Sequence, residues 1–133
     1  MPDSEGIRKL ARALKTQWNR HDVKGFAGLF AQDADFTNVV GATAHGRDEI
    51  EKFHTAPFAT QFHRSQMAVG EQRTRWLSAD LAWVDIPWSM TGAVDKSGAE
   101  RPPRSGTIHA VVSKGKEAWE FSVFANQELT LRT

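Results

Sequence analysis

Leu29-Phe30-Ala31-Gln32-Asp33-Ala34-Asp35-Phe36-Thr37-Asn38-Val39-Val40-Gly41 is the stretch that decides the fold. It reads as the end of an amphipathic helix, an acidic turn, and a short strand that stops at a glycine. In the strand part, Phe36, Asn38 and Val40 alternate with Asp35, Thr37 and Val39. Ala42 to Ala44 can return beside it as a hairpin partner.

Upstream, Ile7, Leu10, Ala11, Leu14 and Trp18 recur at three- and four-residue spacing, one stripe of a helix. Asp3 or Ser4 can cap its start, and Asp22 can cap the short helix whose apolar face is Phe26, Leu29 and Phe30. Downstream, Gly46-Arg47-Asp48-Glu49-Ile50 opens a third helix with Ile50, Phe53 and His54 on one face and Pro57 near its end. After Phe62 the period changes to two. Strands are expected near Ser65 to Leu77, Leu81 to Thr91, Thr107 to Ser113 and Ala118 to Leu129. The Gly-, Pro- and charge-rich segment from Ala93 to Ser105 is expected to be a mobile hairpin loop. Three helices followed by a long antiparallel meander imply an α+β fold. Both strand faces are apolar. Ala82, Val84, Ile86, Trp88 and Met90 share one, and Leu81, Trp83 and Pro87 share the other. A sheet with one solvated face would alternate apolar and polar. The second face is therefore expected to bury itself against a partner subunit, making a homodimer through the outer sheet face.

The 133 residues suit a single domain spanning 1–133. Hydrophobic content of 40% and charged content of 25% are those of a soluble globular protein. A net charge of +1 gives no pull toward nucleic acid or membrane. The local run from Arg101 to Arg104 is split by two prolines and makes no phosphate-binding face. The absence of cysteine excludes disulfides, thiolate catalysis and zinc–thiolate sites. The start of the chain is acidic and polar up to Ile7, and no apolar stretch nears the ~20 residues that span a bilayer. A cytoplasmic protein is the expectation.

The order of helix, acidic turn, strand and second helix resembles the nuclear transport factor 2-like superfamily, to which ketosteroid isomerase and the SnoaL-like polyketide cyclases belong. The closer resemblance is to the SnoaL-like or SgcJ/EcaC-type small domains. Its carriers are Trp18-Asn19-Arg20-His21-Asp22, Asp33-Ala34-Asp35-Phe36, Gly46-Arg47-Asp48-Glu49-Ile50 with His54, and Trp119 with Asn126-Gln127-Glu128-Leu129. The resemblance implies a cone-shaped, cystatin-like α+β domain, three helices packed on a curved, mainly antiparallel sheet around a pocket. It does not carry the isomerase's chemistry. The positions of its proton-shuttling aspartate, oxyanion tyrosine and second oxyanion acid fall on Asn38, on Leu14 and near Ile108. An amide has no useful basicity near neutral pH, and leucine donates no hydrogen bond.

Within this frame His54 is the candidate catalytic residue. It sits on the buried side of its helix, where an imidazole can exchange a proton near neutral pH. The competing reading is a core histidine hydrogen-bonded to a backbone carbonyl or a carboxylate. Asn38 and Trp88 share strand faces that, by analogy, look into the cone, the first as a neutral polar group and the second as a stacking surface. Trp18 closes the first helix stripe and is a further ligand-contact candidate. Gln127 follows the parity of Trp119, whereas Asn126 turns inward only after a bulge, and either can supply a polar pocket group. Asp33 and Asp35, placed in the turn, are expected to accept hydrogen bonds from nearby backbone or Arg groups and not to line the cavity. His45, His54 and His63 stand nine apart, which sets no two on one helical face, so no metal site is expected. Neither a phosphate-cradling glycine loop nor a dinucleotide fingerprint is present, so no cofactor is expected. The function implied is a pocket protein for a small hydrophobic molecule: either a cofactor-free isomerase, cyclase or hydratase, or a non-catalytic ligand-binding or dimerising module.

Overall fold

The computed structural model describes residues 3–129. Helix α1 (Ser4–Asn19) begins where Asp3 accepts a 2.9 Å bond from the Gly6 amide, and α2 (Val23–Ala27) where Asp22 does the same for Gly25. All five residues of the α1 stripe are buried. Ile7, Leu10 and Leu14 each contribute on the order of 1.5–3 kcal/mol by leaving water. The end of α1 is stitched to the sheet. The Asn19 amide exchanges two hydrogen bonds with the backbone of Met67, Trp18 Nε1 donates to Ser65 Oγ, and His21 Nε2 meets the Ser65 carbonyl.

Strand β1 (Phe30–Thr37) follows at once, then β2 (Thr43–His45) and helix α3 (Arg47–Ala59). Arg47 secures the start of α3. Its Nε donates to the Phe30 carbonyl, and Nη2 reaches Glu120. Five further strands complete one sheet: β3 (Gln66–Val69), β4 (Arg73–Ser78), β5 (Leu81–Thr91), β6 (Arg104–Lys114) and β7 (Trp119–Glu128). The order is β2-β1-β7-β6-β5-β3, with β4 also paired to β5. Among the described residues, only β1 and β7 run parallel. The fold is α+β, with three helices on a mixed, mainly antiparallel sheet. Ala82, Val84, Ile86, Trp88 and Met90 all turn into the core, as their parity requires.

Four expectations need correction. Phe30 is not helical, because α2 lasts five residues and Phe30 pairs with Phe121 of β7. Asp33 and Asp35 therefore lie within β1, not in a turn, and both are exposed. Asp35 binds His45 Nδ1 at 2.6 Å across the β1–β2 hairpin. The strand expected from Ser65 to Leu77 is two strands on the same edge of β5. They part opposite Pro87, which has no N–H for the ladder, and Gly70 donates to its carbonyl. The segment from Ala93 to Ser105 is a tied hairpin and not a loose one. Ala93 and Val94 are buried, Arg101 N bonds the Ala93 carbonyl, and Asp95 Oδ1 gathers the amides of Ser97 and Ala99.

Candidate functional site

Between the helices and the inner sheet face lies a cavity of about 280 Å³. Helix α1 supplies Leu14 and Trp18 to its wall, and α3 supplies Phe53, His54 and Pro57. The strands supply Phe36, Trp88, Ile108, Phe124 and Asn126. The lining is mostly aromatic and aliphatic with a few polar groups, the usual make-up of a small-molecule site.

His54 is only 5% exposed. Its Nδ1 lies 2.8 Å from the carbonyl of Ile50, one turn back on α3. A carbonyl only accepts, so Nδ1 carries the proton and the lone pair sits on Nε2. No group among the described residues bonds Nε2. The rings of Phe26, Phe36, Phe53 and Phe58 surround the imidazole at 4.6–5.8 Å. Burial in this box disfavours the cation and lowers the pKa to about 4, against the smaller opposing pull of the Ile50 carbonyl. At neutral pH the group is a neutral imidazole with one fixed tautomer and one unsatisfied nitrogen.

Trp18 and Trp88 both reach the cavity, and both indole N–H groups are already engaged. Trp18 bonds Ser65, and Trp88 Nε1 donates to Asn126 Oδ1 at 2.7 Å. The second bond crosses a strand, from β5 over Gly106 of β6 to β7. It is possible because Gly106 has no side chain. A Cβ there would lie 2.7 Å from Trp88 Cζ2 and would also strike the Gln127 carbonyl. An indole N–H only donates, so Asn126 must present its oxygen to Trp88, which leaves its NH2 group for other partners.

Asn126 and Gln127 are separated by this geometry. The β6–β7 register shifts between Val111 and Val112, and that irregularity reverses the parity of β7 beyond Phe121. Phe124 and Asn126 consequently face inward. Gln127 is exposed on the outer face, where its Oε1 meets His109 Nε2 at 3.0 Å, so it does not belong to the cavity. Asn38 does line the cavity, but one residue past β1. Its Oδ1 accepts from the amides of Val40 and Ala42, so the carbonyl half is spent on the hairpin.

One polar cluster had no counterpart in the sequence reading. Arg104 makes a two-point ion pair with Glu128, Nε to Oε2 at 3.0 Å and Nη2 to Oε1 at 2.9 Å. The pairing lowers the Glu128 pKa. The Arg104 guanidinium lies over the rings of Phe62 and Trp88, and its side chain is 9% exposed. Its Nη1 is buried with no hydrogen-bond partner among the described residues. Arg101, Arg104 and Glu128 all line the same cavity. The available signal was parity: Arg104 shares the inward phase of Gly106, Ile108, Ala110 and Val112.

A family model for the SnoaL-like domain matches residues 11–122. The chain belongs to that family. No curated protein matches the sequence. Among solved structures, a protein of cystatin-like fold from Caulobacter vibrioides is 24% identical, with a TM-score of 0.85 over 96% of this chain and 89% of its own. A cystatin-like domain from Nostoc punctiforme is 27% identical, with a TM-score of 0.82 over 97% and 78%. A protein provisionally described as a scytalone dehydratase, from Novosphingobium aromaticivorans, is 18% identical, with a TM-score of 0.83 over 96% and 85%.

In this SnoaL-like domain Leu14, Asn38 and Ile108 all line the cavity. None of these three side chains presents an acid or a base to the cavity. What this SnoaL-like domain offers instead is the His54 imidazole, the Asn126 amide and the Arg104–Glu128 pair.

Proposed function

We propose that the domain binds a small hydrophobic molecule in this cavity and moves a proton on it without a cofactor, as an isomerase, cyclase or dehydratase does. One observation carries the reading: His54 has its proton pinned at Nδ1 and its Nε2 open in a cavity walled by hydrocarbon. In the proposed step Nε2 takes a proton from a carbon beside a carbonyl. The C–H bond breaks, an N–H bond forms, and the electron pair passes to the carbonyl oxygen as an enolate. The NH2 group of Asn126, oriented by Trp88, is the donor for that oxygen. The imidazolium then returns the proton to another carbon or to a leaving hydroxyl. The low basicity of His54 keeps it unprotonated throughout the neutral range. The same low basicity favours the rival reading, in which the cavity binds a ligand without turnover.

The outer sheet face supports a homodimer. Trp83, Val111 and Val123 stand opposite one another across β5, β6 and β7, and Trp83 and Val123 are 42% and 43% exposed. Burying such a row against a second copy yields roughly 25 cal/mol per Å² before association costs.

The catalytic reading is tested with 2-tetralone, a bicyclic ketone with acidic α-hydrogens, in deuterium oxide. The protein should speed loss of the α-proton signal, and His54→Gln should abolish that gain while keeping the ketone bound. Binding without accelerated exchange in the native protein would leave the rival reading standing.

A further inference from the structure

We propose that the natural ligand is a monoanion, an apolar ring skeleton bearing a carboxylate, and that Arg101 and Arg104 hold the carboxylate. The inference rests on the pocket reading above and names its ligand class. Among the described residues, three formal charges line the cavity: Arg101, Arg104 and Glu128. Glu128 balances Arg104 through the two-point pair, and Arg101 has no ion-pair partner among the described residues. The wall therefore carries one positive charge in excess, beside a largely apolar space where screening by water is weak. His54 is neutral and leaves that excess unchanged.

Two further features point to an acceptor at this end. Arg104 Nη1 is a buried donor without an acceptor among the described residues, although the side chain is nine-tenths enclosed. Native structures seldom leave such a group unmet. Asn126 adds a second free donor, its NH2, because Trp88 occupies its oxygen. The guanidinium is fixed between Phe62, Trp88 and Glu128, so it is preorganised before a ligand arrives. Because Nη1 is buried, side chains at this end of the cavity must move as the carboxylate enters to meet it. The size of the cavity, near the lower end of the usual range for ligand sites, suits a small bicyclic acid.

Calorimetric titration with 2-naphthoate, 2-naphthamide and 2-naphthylmethylammonium tests the assignment on one shared skeleton. The carboxylate should bind about tenfold more tightly than the amide, and the ammonium compound should not compete. Arg101→Gln should weaken naphthoate several-fold and leave naphthamide unchanged, and added salt should weaken naphthoate alone. Equal affinity for acid and amide, or naphthoate binding indifferent to Arg101→Gln, would overturn the anion assignment and leave the pocket reading in place. Failure of all three compounds to bind would remove the pocket reading itself.

Discussion

Gly106→Ala places a single methyl group at the crossing of Trp88 over β6. A Cβ at that position lies 2.7 Å from Trp88 Cζ2 and 2.8 Å from Trp88 Cε2, and it also meets the Gln127 carbonyl of the neighbouring strand. The carbonyl belongs to the β6–β7 ladder, where Gly106 pairs with Glu128, and cannot step aside alone. The indole must move, and its bond to Asn126 then fails. Overpacking of this kind costs about 1–3 kcal/mol. Loss of the buried hydrogen bond adds about 0.5–1.5 kcal/mol. A combined loss of about 2–4 kcal/mol should lower the urea midpoint by roughly 1–2 M at an m value near 2 kcal/mol/M. Trp88 fluorescence should shift in the folded state, since the indole leaves its amide partner. A midpoint unchanged within error would refute the claim that the crossing requires glycine, and with it the assigned orientation of the Asn126 amide.

Burial of His54 makes stability depend on pH. Its folded pKa of about 4 lies below the ordinary histidine value of 6.5, so below pH 6.5 the unfolded chain binds the proton first. Stability contributed by the neutral imidazole is therefore full above 6.5 and falls as the pH drops toward 4, by about 3 kcal/mol in total. His109 runs the other way. Asp85 and Gln127 raise its pKa, so its contribution is full at low pH and is lost as the pH rises through its folded pKa. The difference between native and His54→Gln denaturation curves across that range isolates the first effect. Asp33→Ala should change stability by less than about 0.5 kcal/mol, as for an exposed strand residue without a side-chain bond, and a larger loss by thermal denaturation would restore a capping role. Trp83→Glu should convert a sedimenting species near twice 14.8 kDa to one near 14.8 kDa, whereas a native monomer at micromolar concentration would remove the dimer proposal.

Much of the fold is local and was therefore readable. The α1 stripe, the caps at Asp3 and Asp22, and the parity of β5 each depend on neighbours within a few residues. Trp18, His54 and Trp88 were placed through those local patterns, and all three reach one cavity. What escaped depends on distant partners. Phe30 continues an apparent helical face, and only its pairing with Phe121 makes it a strand residue. The β7 irregularity decides which of Asn126 and Gln127 faces inward, and it arises in the match with β6. Arg104 looked like part of a proline-split basic run because β6 was expected to begin at Thr107. Three more residues of strand put it on the inner face, against Glu128. Asn38 had the right face but not the expected freedom, since the hairpin amides of Val40 and Ala42 claim its oxygen.

The claim at the centre of this account is a His54 with its proton fixed on Nδ1 and its Nε2 open to the cavity. Nitrogen-15 NMR of the histidine side chains reads both directly. The account predicts an Nδ1–H tautomer that persists from neutral pH to near 4, with the Nε2 resonance moving when 2-tetralone is added and the Nδ1 resonance nearly still. A ring that titrates near 6.5, or an Nε2 resonance indifferent to the ketone while the protein binds it, would contradict the account.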